Sequence, residues 1–154
     1  MRRDIEDLIA HATGSRPLDS SPMSGGSVGE VMRVGLENGR TVVAKIGGAG
    51  SGLALEGYML RYLGEHSRLP VPAVLHAEER LLLMSHVEAD GGLTAAAQGD
   101  AADLLADLHA INEKSFGFGK DTLIGGLDQP NPRTTSWLAF FRDQRLLYMG
   151  REAL

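Results

Sequence analysis

Three groups of residues in this sequence have the types and the order needed to hold a nucleoside triphosphate. Ser24-Gly25-Gly26-Ser27 is a glycine turn. Backbone N–H groups there can approach phosphate oxygens, because no Cβ stands in the way at the glycines. Lys45 lies near the end of a β-branched run, Thr41 to Ile46, and can present its ammonium to the α and β phosphates. A lysine side chain is flexible, so a carboxylate is needed to hold it. Glu56, in the helical stretch that follows, is the natural partner. A strand lysine fixed by a helix glutamate builds a phosphate site without a Walker A motif.

Taken singly, each feature has a plainer use. Glycine turns commonly precede hairpins, and a lysine ending a strand is usually a solvated edge residue. A glutamate in the first turn of a helix complements the helix dipole. Joint order and spacing carry the functional reading. Two other glycine strings do not qualify. Gly117-Phe118-Gly119-Lys120 resembles part of a P-loop, but Asp121 fills the Ser/Thr position and Lys114 the first glycine position. Gly48, Gly50 and Gly52 are followed by Leu53 where a dinucleotide fingerprint needs its third glycine. His11, His66, His76, His86 and His109 form no i, i+4 pair, so no metal site is assigned.

The elements that must position these residues follow from local pattern. Ile5, Leu8, Ile9 and Ala12 recur with helical period, and Gly14 ends the helix. Ser15 to Met23 reads as a polar loop. Val28 to Leu36 and Thr41 to Ile46 read as a hairpin around Asn38-Gly39. Gly47 to Gly52 reads as a glycine-rich link and Leu53 to His66 as a helix. Pro70 and Pro72 then fix an extended segment. Val74 to Ala77 and Leu81 to Met84 read as two further strands, and Ser85 to Gly92 as a polar linker. Beyond it Asp100 is placed as the cap of a helix reaching Ile111, Lys114 to Arg133 as a long loop, and Thr134 to Gly150 as a final helix.

Composition sets the outer bounds. The 154 residues suffice for one ordinary domain with a real core. A net charge of −5 argues against a dedicated nucleic-acid binder. The absence of cysteine removes disulfides, thiolate metal sites and cysteine nucleophiles together. No apolar run approaches the ~20 residues of a membrane helix, and Asp4, Glu6 and Asp7 interrupt any signal-like apolar start. A cytoplasmic protein with no membrane partner is the expectation.

Ser24-Gly25-Gly26-Ser27, Ala44-Lys45 and Glu56 resemble the N-lobe of fructosamine kinases and of aminoglycoside phosphotransferase-like enzymes. The later signature is more specific. Phe116-Gly117-Phe118, Asp121, Ile124-Gly125, Gln129-Pro130-Asn131, Trp137, Phe140-Phe141 and Arg145-Leu146 resemble the fructosamine/ketosamine kinase family in particular. The resemblance implies an α+β fold: a protein-kinase-like N-lobe over residues 1–88, with an antiparallel sheet and a Lys-pairing helix. Residues 89–154 would form the first helices of a truncated C-lobe. It implies ATP and Mg as cofactors and ATP-dependent phosphorylation of ketosamines, the adducts of sugars with amines. It also implies a gatekeeper at Met84 and a hinge from Ser85 to Val87, with the Ser85 carbonyl and Val87 N–H bonding adenine. Many relatives carry an acid where Ser85 stands, and relatives often place Asn where Thr122 stands.

Relatives continue into a lobe bearing a His-Gly-Asp catalytic loop, a downstream Asn and a metal-binding Asp. The nearest string here, Gln98-Gly99-Asp100, opens a helix instead. No catalytic residue and no metal ligand is therefore assigned in this chain. Alone, it is expected to lack kinase activity and to bind adenine nucleotide weakly. Two alternatives stand beside this reading: a catalytically inactive nucleotide- or partner-binding module, and a related aminoglycoside- or choline-type kinase. Finally, Trp137, Phe140 and Phe141 share one helical face. Either the helix folds back on Leu104, Leu105 and Leu108, or a second copy covers that face in a two-fold homodimer.

Overall fold

The computed structural model of the chain describes residues 1–23, 29–88 and 91–153. They group into two compact units, Met1–Leu108 and His109–Leu154.

The first unit is built on a five-stranded antiparallel sheet in the order β1-β2-β3-β5-β4. Its strands are β1 (Pro17–Pro22), β2 (Glu30–Leu36), β3 (Thr41–Ile46), β4 (Val74–Ala77) and β5 (Leu81–Ser85). Period-two alternation decides which side chains meet which layer. Met32, Val34 and Leu36 of β2, with Val42 and Ala44 of β3, turn to one face and are buried there. They cluster with Ile5 and Ile9 of helix α1 (Arg3–Thr13), both fully buried. Gly14 ends α1 in the left-handed region at φ 70°, its N–H donating to Ala10 O. The opposite face takes the other set, including Lys45. Strand β5 has no alternation because it lies between two layers. Leu81 and Leu83 join the α1 cluster, whereas Leu82 lies under helix α2 (Leu53–His66).

The hairpin read at Asn38-Gly39 is present, with Gly39 at φ 80° and Asn38 Oδ1 accepting from Arg40 N–H at 3.1 Å. The helix over Leu53–His66 is also found. Residues 15–23 differ from the expected loop: Pro17–Pro22 pairs with β2 as an edge strand. Its side chains are almost all exposed, so no apolar alternation announces it. Helix α3 (Ala95–His109) starts earlier than Asp100. Thr94 Oγ1 accepts from Ala97 N–H at 3.2 Å and caps it, leaving Asp100 inside the helix. None of its side chains is buried.

In the second unit, the stretch expected to be loop is folded. Phe116 and Thr134 form a β-bridge, and β6 (Thr122–Ile124) pairs with β7 (Leu127–Gln129). Ser136 caps α4 (Trp137–Phe141) by accepting from Ala139 N–H. A π-helical segment, Arg142–Leu147, follows, and then α5 (Tyr148–Glu152). The expected final helix is thus present but widened in its middle. Of the three aromatics on its shared face only Phe140 is buried, while Trp137 remains 49% exposed. Trp137 stacks on Phe141 and tilts against Phe116.

No helix among the described residues is long and apolar enough to cross a membrane.

Candidate nucleotide-binding site

Strand β3 delivers Lys45 to the α2 side of the sheet. Lys45 Nζ donates to Glu56 Oε2 at 2.7 Å. The lysine side chain is largely buried, and the glutamate is about one-third exposed. An ion pair that wet contributes about 1 kcal/mol or less to stability. The fold's stability rests instead on the α1 cluster, so the pair matters for where it holds the ammonium. Glu56 sits in the first turn of α2, its N–H donating to Gly52 O at 2.9 Å. Gly52 opens that helix at φ 71° without a side-chain cap. The link before it is anchored at Gly47, whose N–H donates to Arg80 O, and at Ser51, whose hydroxyl donates to Glu79 O.

Ser24, Gly25, Gly26 and Ser27 lie outside the described residues. Just after them Gly29 enters β2 at φ 82°, and a Cβ there would lie 2.6 Å from Ile46 O. This glycine allows the start of β2 to press against the end of β3, next to Lys45.

The expected hinge follows β5. Met84 sits within β5, opposite Val43 of β3 and Val74 of β4. Ser85 is tied to the segment before β4 twice. Its N–H donates to Ala73 O at 2.8 Å, and its Oγ accepts from Ala73 N–H at 2.9 Å. The Ser85 hydroxyl therefore has a structural partner. His86 is turned in and pairs with Glu88 at 3.2 Å, whereas Val87 is 61% exposed. Lys45 lies opposite Leu82, and Val42 lies opposite Ser85. Three residues of strand therefore separate the lysine from the hinge, about 10 Å at the rise of an extended chain.

In the second unit several of the signature residues meet in one polar network. Asn131 is 6% exposed and is the centre of a polar network. Its Nδ2 donates to Lys120 O at 3.0 Å and to Thr122 Oγ1 at 2.8 Å. Its Oδ1 accepts from Arg145 Nη2, and its N–H donates to Asp121 Oδ1 at 2.7 Å. Thr122 in turn donates to Gln129 Oε1 at 2.9 Å. Arg145, within the π segment, also donates to Pro130 O and lies 4.6 Å over the Phe140 ring. Burial pulls its pKa below the ordinary arginine value. Sequence reasoning named these residues without seeing that they form one network.

Among the described residues no group of three His, Asp or Glu side chains could hold a metal ion.

Solved structures share this architecture. One described as a candidate fructosamine-3-kinase from Thermobifida fusca aligns with TM-score 0.83 and 26% identity, over 100% of this chain and 57% of that one. A second with the same description, from Haemophilus somnus, gives TM-score 0.77 and 24% identity, over 97% of this chain and 54% of that one. A type I macrolide 2′-phosphotransferase gives TM-score 0.54 and 19% identity, over 73% of this chain and 44% of that one. The chain thus spans little more than half the length of the two candidate fructosamine-3-kinases. Its sheet and Lys-pairing helix form a kinase-like N-lobe fold. No curated protein sequence matches it significantly. The sequence matches the fructosamine kinase family over residues 1–153, so the chain belongs to that family.

Proposed function

We propose that this chain supplies the nucleotide-binding part of an ATP-dependent phosphotransferase whose acceptors are ketosamines. Residues 1–88 would form the N-lobe and hinge, and residues 89–154 the start of the helical lobe. The observation that carries the reading is the 2.7 Å contact between Lys45 Nζ and Glu56 Oε2. It fixes a cation at the end of a strand, on the side of the sheet that α2 covers. ATP fits these residues. Its phosphates would meet the Lys45 ammonium, and its base would meet the Ser85 carbonyl and Val87 N–H. Mg2+ would accompany the nucleotide and neutralise phosphate charge. This chain's part is to bind and orient. Glu56 holds the lysine in one rotamer, so that little side-chain entropy is lost when phosphate arrives. The ketosamine acceptor follows from family membership and from the candidate fructosamine-3-kinases that share the fold.

An NMR titration of the chain with MgATP tests the assignment. Saturation is expected in roughly the millimolar range, because two or three charge-assisted bonds of about 1.5–3 kcal/mol each only modestly exceed the cost of association. Shift changes should concentrate at residues 42–46 and 82–87. Lys45→Ala should weaken binding about ten- to a hundredfold, the loss of one such bond. Unchanged affinity in Lys45→Ala would remove the assigned role of the lysine.

A further inference from the structure

Glycine inside a helix is unfavourable, so a helical glycine calls for a reason in packing. Gly57 stands in the interior of α2, directly after Glu56, and is buried. A Cβ built on it would lie 2.4 Å from Ala77 Cβ of β4 and 3.1 Å from Leu82 Cδ1 of β5. Carbon atoms in contact sit about 3.5–4.0 Å apart. Ala77 Cβ is one bond from the backbone and cannot swing aside. A side chain at position 57 would therefore drive α2 and β4 apart by about 1 Å or more. The Lys45–Glu56 contact is 2.7 Å long, and such a displacement of the helix would stretch it past hydrogen-bonding distance. Gly64 lies two turns further along α2. A Cβ there would meet only Val71 Cγ2, at 3.3 Å.

We infer that Gly57 is a positioning residue. Its missing side chain seats α2 on β4 and β5 at the depth that lets Glu56 hold Lys45. The inference rests on the nucleotide-binding reading only for the use made of the pair. The geometry of the pair is independent of any ligand.

The experiment reads the pair directly and without nucleotide. Acylation of Lys45 by an amine-reactive reagent is followed by mass spectrometry in the 154-residue chain, with thermal melting alongside. In Gly57→Ala, labelling of Lys45 is expected to rise several-fold, up to about fivefold, the change that loss of one such ion pair produces. Its rate should approach that of the exposed Lys114. The melting temperature should fall much less, because alanine improves the helix while it spoils the packing. The exchange variant Gly57→Ala/Ala77→Gly moves one methyl group from strand to helix and should restore protection. Ala77→Val, which crowds the same contact from the strand side, should raise labelling with Gly57 intact. Gly64→Ala should leave labelling at the wild-type level. The inference is overturned if Gly57→Ala and Ala77→Val both keep Lys45 protected, or if the exchange variant melts normally yet stays exposed to reagent. If either single variant fails to fold, the exchange variant and the other single decide. MgATP titration of the same variants separates the two proposals. Labelling that responds while nucleotide affinity does not supports the role of Gly57 and overturns the nucleotide role of the pair.

Discussion

Asn131→Ala is expected to destabilise the His109–Leu154 unit by about 3–4 kcal/mol, a large fraction of a typical domain's stability. The loss has a definite source. The Asn131 side chain donates to Lys120 O and Thr122 Oγ1, and it accepts from Arg145 Nη2. All of this takes place at a residue only 6% exposed. Alanine keeps the backbone bond to Asp121 but removes three hydrogen bonds, two between neutral groups worth about 0.5–1.5 kcal/mol each and one from a charged donor worth about 1.5–3 kcal/mol. The bond from Arg145 is the largest of these because its donor is charged, although Arg145 keeps the Pro130 and Gln144 carbonyls as acceptors. Asn131→Asp separates the contributions. It retains an acceptor for Arg145 and removes the two donated bonds, so it should fall between wild type and alanine. Trp137 is the chain's only tryptophan and lies in this unit, so its fluorescence in a urea titration reports the right transition. A loss below about 1 kcal/mol would show that the network can be replaced by water.

Gly117→Ala should be as severe, by a different mechanism. Gly117 has φ 103°, and a Cβ there would lie 2.4 Å from Pro132 O and 2.9 Å from Asn131 O. Both obstacles are backbone, so neither can rotate away. Strain at such a φ costs about 1–3 kcal/mol for a residue with a side chain. Overpacking adds about 1–3 kcal/mol more. The expected total is about 3–5 kcal/mol. The Phe116–Thr134 bridge and the Phe118 N–H bond to Asn131 O flank the site and should open with it. Gly125→Ala provides the control. Gly125 also has positive φ, at 61°, but a Cβ there meets nothing. It should lose only the backbone term, about 1–2 kcal/mol. Equal losses in the two variants would assign the whole effect to φ and none to the close approach.

Legibility in the sequence followed local physics. Helix α1 was readable because its apolar period is clean and a glycine ends it. The hairpin was readable because Asn38-Gly39 separates two β-rich runs, and α2 because prolines close it. Strand β1 was hidden, since an exposed edge strand of sequence Pro-Leu-Asp-Ser-Ser-Pro has neither alternation nor apolar content. The hairpin of β6 and β7 was hidden because each strand is only three residues long. The start of α3 was misplaced because Asp100 is a good cap in general, while Thr94 is the cap in fact. No local rule announces the π segment Arg142–Leu147 inside the helix expected over Thr134 to Gly150. At the site, order and spacing were enough to pair Lys45 with Glu56. Gly57 escaped because its role depends on Ala77, a contact that only the folded chain creates.

The two edges of the five-stranded sheet have a consequence for how the protein behaves when concentrated. Strand β1 has proline at both ends, and its register with β2 shifts between Pro17 and Asp19. Strand β4 follows Pro70 and Pro72, and its register with β5 shifts between Val74 and His76. Proline offers no N–H, and a bulge twists the strand away from a straight partner. Neither border presents the flat row of donors and acceptors that templates cross-β growth. Concentrated native protein should therefore stay negative to thioflavin T. Fibrils, where they form, must begin from chains that have already lost the sheet.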